Sequence, residues 1–137
     1  MATPFKLKII TPDKTFFEGE TENVIVRTTE GDIGILAGHI NYAASLPSGP
    51  IKVKMDDGNY RLAAISGGVL KISKEGTVII ARAIEWGSEI DLEHARRSEE
   101  DARRRMQESK GKSNAEFERA RMKLMRALNR IDVAQKM

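Results

Sequence analysis

The stretch TVIIARAIEWGSEIDLEHARR, residues 77–97, holds two rhythms that one element cannot satisfy. Val78, Ile79 and Ile80 are β-branched and apolar, residues that suit a pleated, half-buried surface. Beyond Asp91 the period changes. Leu92, Ala95, Glu99, Ala102 and Met106 follow at spacings of 3, 4, 3 and 4, a heptad stripe with one polar interruption. Asp91 suits a helix N-cap, with Ile90 and Ala95 placed as a hydrophobic staple. The chain is therefore expected to switch from sheet to helix here.

Upstream of the switch the signals are those of strands. FKLKII alternates, which places Phe5, Leu7 and Ile9 on one face. ENVIVRTT, PIKVKM, YRLAAIS, GVLKIS and TVIIARAI follow at short spacing, and TPDK, DDGN, SGG and KEG read as the turns between strands. Gly58 and Gly76 are expected to supply positive φ in hairpin turns. Many short strands at this spacing indicate a β-sandwich or a partly closed barrel.

Downstream, ESKGKS breaks the first helix at Gly111, and Ser113 with Glu116 forms a capping box for a second. Phe117, Ala120, Leu124, Ala127, Ile131 and Ala134 repeat the 3, 4 spacing. Leu92, Met106, Phe117, Leu124, Leu128 and Ile131 are expected to carry most of the apolar surface of the helix pair. The expected fold is α+β: an N-terminal antiparallel β-sandwich over residues 1–87, followed by a C-terminal antiparallel two-helix hairpin over residues 88–137. Much of the stripe is alanine, and isolated helices of about 15 residues are marginal in water. The hairpin is therefore expected to depend on docking, either on its own sandwich or on a partner.

Composition bounds the rest. At 137 residues, 40% hydrophobic and 31% charged, the chain suits one globular domain with a small appendage. Its apolar runs are too short for a transmembrane helix, and MATPFKLKIITP lacks the apolar core of a secretory signal, so neither is expected. Cysteine is absent, which removes disulfides, thiol nucleophiles and thiolate metal sites and fits a reducing compartment. His39 and His94 lie far apart in sequence, so a histidine-rich zinc site is not expected. The net charge of +3 is uneven: residues 1–90 carry −1 and residues 91–137 carry +4. A basic appendage on a near-neutral body suggests an acidic partner, although a solvated helix surface accounts for the charge equally well.

Several motifs invite chemistry. EGDIGILAGHINYAASLPSGP, residues 30–50, has the glycines of a catalytic loop or of tight β-turns displayed to a partner. GKS at residues 111–113 ends like a phosphate-binding loop, but the required earlier glycine would fall at Met106 and no strand precedes it. His39 lacks an accompanying nucleophile motif or carboxylate. Arg103, Arg104 and Arg105 lack interleaved aromatics for base stacking. Trp86 reads as a packing residue at the junction. These patterns describe an adaptor or regulatory subunit. The competing classes are a stand-alone nucleotide sensor and a nucleic-acid adaptor built on the basic hairpin.

Five segments, in order, carry a resemblance across essentially the full length: KLKIITPDKTFFEGE, EGDIGILAGHIN, AISGGVLKIS, EIDLEHARR and ALNRIDVA. The chain resembles the epsilon subunits of bacterial F-type ATP synthases, called delta in mitochondria. The resemblance implies a non-catalytic central-stalk subunit with no required cofactor and no nucleic-acid partner. Its sandwich would bind the gamma subunit and rest on the c-ring, and its hairpin would inhibit ATP hydrolysis near the alpha and beta subunits. The complex would sit peripherally on the cytoplasmic face of a bacterial cell membrane, coupled to protons or sodium ions.

The same resemblance names residues. Glu30, Asp32 and His39 become candidate c-ring contacts, with Ala37 where the family often has proline. Arg119, Arg121, Lys123, Arg126 and Arg130 become candidate contacts to an acidic segment of beta. Glu85, Ile90, Asp91, Ala95, Arg126 and Arg130 match positions that bind ATP in some members. His94 and Asp101 stand where those members carry arginine. Arginine is a permanent, forked phosphate donor, so weak or absent ATP binding is expected.

Overall fold

Alternation decides the first half of the chain. In the computed structural model, which describes residues 3–38, 41–111 and 114–136, Leu7 and Ile9 of β1 (Phe5–Ile10) are buried while Lys6 and Lys8 are exposed. Seven more strands follow: β2 (Thr15–Thr21), β3 (Val24–Thr28), β4 (Gly31–Ile35), β5 (Tyr42–Lys54), β6 (Tyr60–Ser73), β7 (Gly76–Ala81) and β8 (Ile84–Trp86). They form one sheet in the order β2-β1-β7-β6-β5-β3-β4, with β8 also on β6. The sandwich is as expected, and its ladder contains one parallel pair, β1 with β7.

One sheet becomes two layers because β5 and β6 pass through both. They are 13 and 14 residues long and pair from Tyr42↔Ile72 to Lys54↔Tyr60. Beyond Gly68, β6 pairs with β7, whereas over Ala63–Ile65 it pairs with β8. The ladder skips one position, where Pro47 faces Gly67, and Gly67 has φ 92°. Proline has no N–H to give, and glycine takes the left-handed conformation without a Cβ penalty, so the strands bend there. The third strand follows the bend. The Arg82 N–H donates to Gly67 O at 2.9 Å, and the Ser66 N–H donates to Ala83 O at 2.9 Å. The inward residues of all these strands meet in one apolar core that includes Ile9, Val26, Ile35, Ile51, Leu70 and Ile79.

This corrects one reading. SGG at residues 66–68 is not a turn between two strands but the bend inside a single β6. Gly58 and Gly76 do take positive φ, 87° and 138°, at the hairpin turns.

The chain divides into two compact units, Met1–Trp86 and Gly87–Met137. The second opens with a 3-10 turn, Gly87–Glu89, and contains α1 (Leu92–Glu108) and α2 (Asn114–Gln135). Asp91 caps α1, its side chain accepting the His94 N–H at 3.0 Å. Gly111, at φ 77°, ends the turn beyond the Ser109 C-cap. Ser113 of the expected capping box lies outside the described residues. The helices meet along Ala95, Ala102, Ala120 and Ala127, all buried.

Leu128 is not part of that seam. It is 40% exposed, because it sits a further 80° or so around the helix from Ala120. Val133, which the heptad reading leaves out, is fully buried although it lies off the seam. So α2 is covered on a second side, and the Gly87–Glu89 turn is among the segments touching it.

The bend leaves no room beside it. A Cβ at Gly68 would lie 2.3 Å from Ile80 O, a backbone atom that cannot swing away. Gly68→Ala is expected to lower the stability of the sandwich by about 1–3 kcal/mol, read by chemical denaturation. An unchanged midpoint would mean that the layers re-space without cost.

Candidate functional site

The helical unit gathers most of the candidate residues. Asp91, His94 and Arg130 come together at the start of α1. Asp91 accepts the His94 amide, and Arg130 Nη1 lies 3.2 Å from His94 Nδ1 across the helix pair. The His94 amide holds the Asp91 carboxyl below the usual carboxylate range, and the charges of Arg97, His94 and Arg130 add to this. Ala95 is fully buried. Arg126, one turn before Arg130, is exposed and makes no ion pair among the described residues. Glu85 belongs to the other unit. It is half-buried on β8, opposite Ala64 of β6.

A second polar cluster lies two turns further along α1, at Asp101. Lys123 Nζ of α2 donates to Asp101 Oδ2 at 2.5 Å, Arg105 Nε pairs with the same oxygen at 3.0 Å, and Arg104 pairs with Oδ1. The Lys123 hydrogen bond, followed by the charges of Arg105, Lys123 and Arg104, lowers the Asp101 pKa. The sequence showed the acid and the base but not their meeting, because the pair spans both helices. Arg103 is held by Glu99 at 3.0 Å, so the three consecutive arginines are drawn to carboxylates of their own helix.

The remaining basic candidates differ from one another. Arg121 is bound to Glu118, one turn back, at 2.9 Å. Arg119 is exposed and unpaired among the described residues. Between these cations Met122, Met125 and Leu128 stand 49%, 42% and 40% exposed, giving α2 an outer face that is apolar as well as basic. The apolar part of this face was missed in the sequence, where Leu128 reads as part of the helix seam.

In the sandwich, Glu30 is exposed in the turn between β3 and β4, its N–H donating to Thr28 Oγ1 at 3.2 Å. Asp32, on β4, pairs with Arg27 directly across the ladder at 2.9 Å. His39 lies outside the described residues. Strand β4 places five residues between Glu30 and Leu36, six steps or roughly 20 Å along the strand. Leu36, 52% exposed just past the other end of that strand, is a surface residue that the motif reading passed over. Gly31 and Gly38 both take positive φ, 121° and 79°, as turn residues do.

The chain is thus a β-sandwich followed by a two-helix unit whose outer face is both apolar and basic. Known proteins make this specific. Residues 4–87 match the β-sandwich domain of the ATP synthase delta/epsilon chain, and residues 88–135 match its long α-helix domain. The ATP synthase epsilon chain of Ruminococcus albus is 46% identical over 133 residues, 96% of this chain and 97% of that protein. That of Clostridium novyi is 42% identical over 134 residues, 97% and 99% of the two chains. A chain in the cryo-EM structure of the Euglena gracilis mitochondrial ATP synthase, OSCP/F1/c-ring, has a TM-score of 0.77 at 25% identity, covering 89% of this chain and 76% of that one. A chain of the Tetrahymena thermophila mitochondrial ATP synthase central stalk/c-ring shares the fold, with a TM-score of 0.62 at 15% identity and coverage of 97% and 98%. The chain belongs to the ATP synthase delta/epsilon chain family.

Lowered carboxylate pKa values make a signed prediction. Asp91 and Asp101 stabilise the folded unit fully above their ordinary range, near pH 4, and lose that effect as pH falls through their depressed values. At pH 7 the D91N/D101N variant should melt its helical signal earlier than the wild type. That gap should narrow as pH falls below about 4 and close only once pH passes below the depressed pKa values of both groups. A gap that persists undiminished in acid would show that charge on these two groups is not its source.

Proposed function

We propose that this chain is the epsilon subunit of a bacterial F-type ATP synthase and works as a non-catalytic part of the central stalk. The observation that carries the reading is the end-to-end match: both family domains occur in order, and the bacterial relatives align over almost their whole length. On this reading the sandwich holds a gamma subunit and rests on the c-ring, with Glu30, Asp32 and His39 as candidate c-ring contacts. The helical unit restrains ATP hydrolysis by engaging the alpha and beta subunits. Arg119, Arg121, Lys123, Arg126 and Arg130 face the acidic partner, and the exposed methionines of α2 supply adaptable apolar contact. The complex would lie on the cytoplasmic face of the membrane and move protons or sodium ions.

Division of labour between the units is testable. A chain ending at Ile90 should still fold, co-purify with gamma and support coupled ATP synthesis, while ATP hydrolysis by the assembled enzyme rises severalfold. A truncated chain that cannot assemble would overturn the assignment of assembly to the sandwich.

ATP is proposed only as a weak regulatory ligand. Its candidate residues in the helical unit are Asp91, His94, Ala95, Arg126 and Arg130. One arginine contact is replaced by His94, and a charge-assisted contact of this kind is worth roughly 1.5–3 kcal/mol, about one to two decades in affinity. Calorimetric titration of the full chain should show His94→Arg binding ATP at least tenfold more tightly than the wild type. Equal affinities would remove His94 from the site.

A further inference from the structure

The cations of α2 are not equally available, and the difference follows from one carboxylate. Arg119 and Arg126 are exposed and unpaired among the described residues. Arg121 is bound within its own helix. Lys123 differs from these three in having its ion pair with a carboxylate of α1. The carboxylate that holds it, Asp101, also gathers Arg104 and Arg105. Its side chain is 25% exposed and that of Lys123 31%, so the pair sits at the rim of the helix seam, within reach of an incoming anion.

We propose that Asp101 is a built-in competitor for acidic partners of α2, occupying Lys123 in the closed helix pair so that an acidic segment engages this lysine only by displacing it. This rests on the reading of the helical unit as the regulatory arm. The partner chemistry, a carboxylate-rich segment, follows from the +4 charge of residues 91–137.

The arrangement works as a switch because both halves of the exchange are weak. Buried alanines form the seam, so few apolar atoms oppose separation of the helices. Rim ion pairs are also individually weak, so a partner presenting several carboxylates can replace the one it displaces. Exchange frees Lys123 alone: Arg104 and Arg105 pair with Asp101 inside α1 and keep that carboxylate neutralised once the lysine has left. Arg119 and Arg126 need no such release and suit first encounter.

The test uses the full chain, a synthetic alanine-glutamate helical peptide as the acidic probe, and spin labels at Glu93→Cys and Gln135→Cys. No native cysteine competes for the label. Asp101→Asn keeps the shape and removes the charge. It should bind the probe about three- to tenfold more tightly than the wild type, and its label distances should broaden toward longer values. Lys123→Met should bind more weakly than the wild type, and Asp101→Asn should add little to it. The exchange Asp101→Lys with Lys123→Asp should restore the wild-type distances, which separates loss of the pair from general unfolding. An Asp101→Asn chain binding no more tightly than the wild type, absence of probe binding in both, or a charge exchange that fails to restore the distances would each overturn the proposal. Release of hydrolysis by the chain ending at Ile90 is a separate readout. If it persists while the latch fails, the regulatory arm stands without this device; if it is absent, the arm itself falls.

Discussion

The sandwich depends on the backbone turning at Gly67 while its hydrogen bonds continue. Because β5 and β6 run on through the bend, each contributes to both layers, and a single ladder holds the two faces of the core in register. The left-handed conformation at Gly67 and the missing N–H at Pro47 put the bend at one level in both strands. The following strand obeys it too, stopping as β7 and resuming as β8. That resumption places Trp86 at the end of β8. There its ring lies 4.7 Å from the Phe16 ring of β2 and beneath the Arg61 guanidinium, which sits 4.0 Å from the ring centroid. One indole thus joins strands from the two layers at the residue where the sandwich unit ends, and a cation over its face adds to the contact.

The helical unit is built on the opposite economy. Its seam brings backbones together over alanine, which needs little side-chain ordering but also buries little apolar area. Polar contacts then carry a larger share of the pairing than in an ordinary core. Among those that cross between the helices, at different heights, are His94 with Arg130 and Asp101 with Lys123. Neither is buried deeply enough to be strong, so the closed pair is held by interactions that water and other charges can replace. The sandwich has a continuous apolar core and the helix pair a thin seam, so the helix pair is the more easily opened of the two.

Period and turn chemistry made most of this legible. The alternation in FKLKII, the 3, 4 stripe beginning at Leu92 and the cap at Asp91 each report a local preference that the packed structure keeps. The resemblance was legible because five motifs recur in order. What the sequence could not show were relations between distant residues. SGG reads as a turn because a glycine pair breaks strands locally, and only the long partner β5 carries β6 through it. Leu128 reads as seam because it is apolar and one turn from Leu124, but the alanines set the angle at which the helices meet. Asp101 with Lys123 and His94 with Arg130 are separated by 22 and 36 residues, so spacing alone gave no reason to join them.

Charge shows the same limit in its functional form. A net +4 over residues 91–137 counts every side chain once, whereas a partner meets only those not already engaged. On α1 the three consecutive arginines are drawn to Glu99 and Asp101, so the densest basic run in the sequence presents less charge than it spells. On α2 the cations are sparser but include Arg119 and Arg126, which stand open beside exposed Met122 and Met125. Long-range attraction follows net charge, while affinity follows the groups that can be desolvated together. The run of arginines therefore serves the fold of α1, and the mixed face of α2 is where basic and apolar contact coincide.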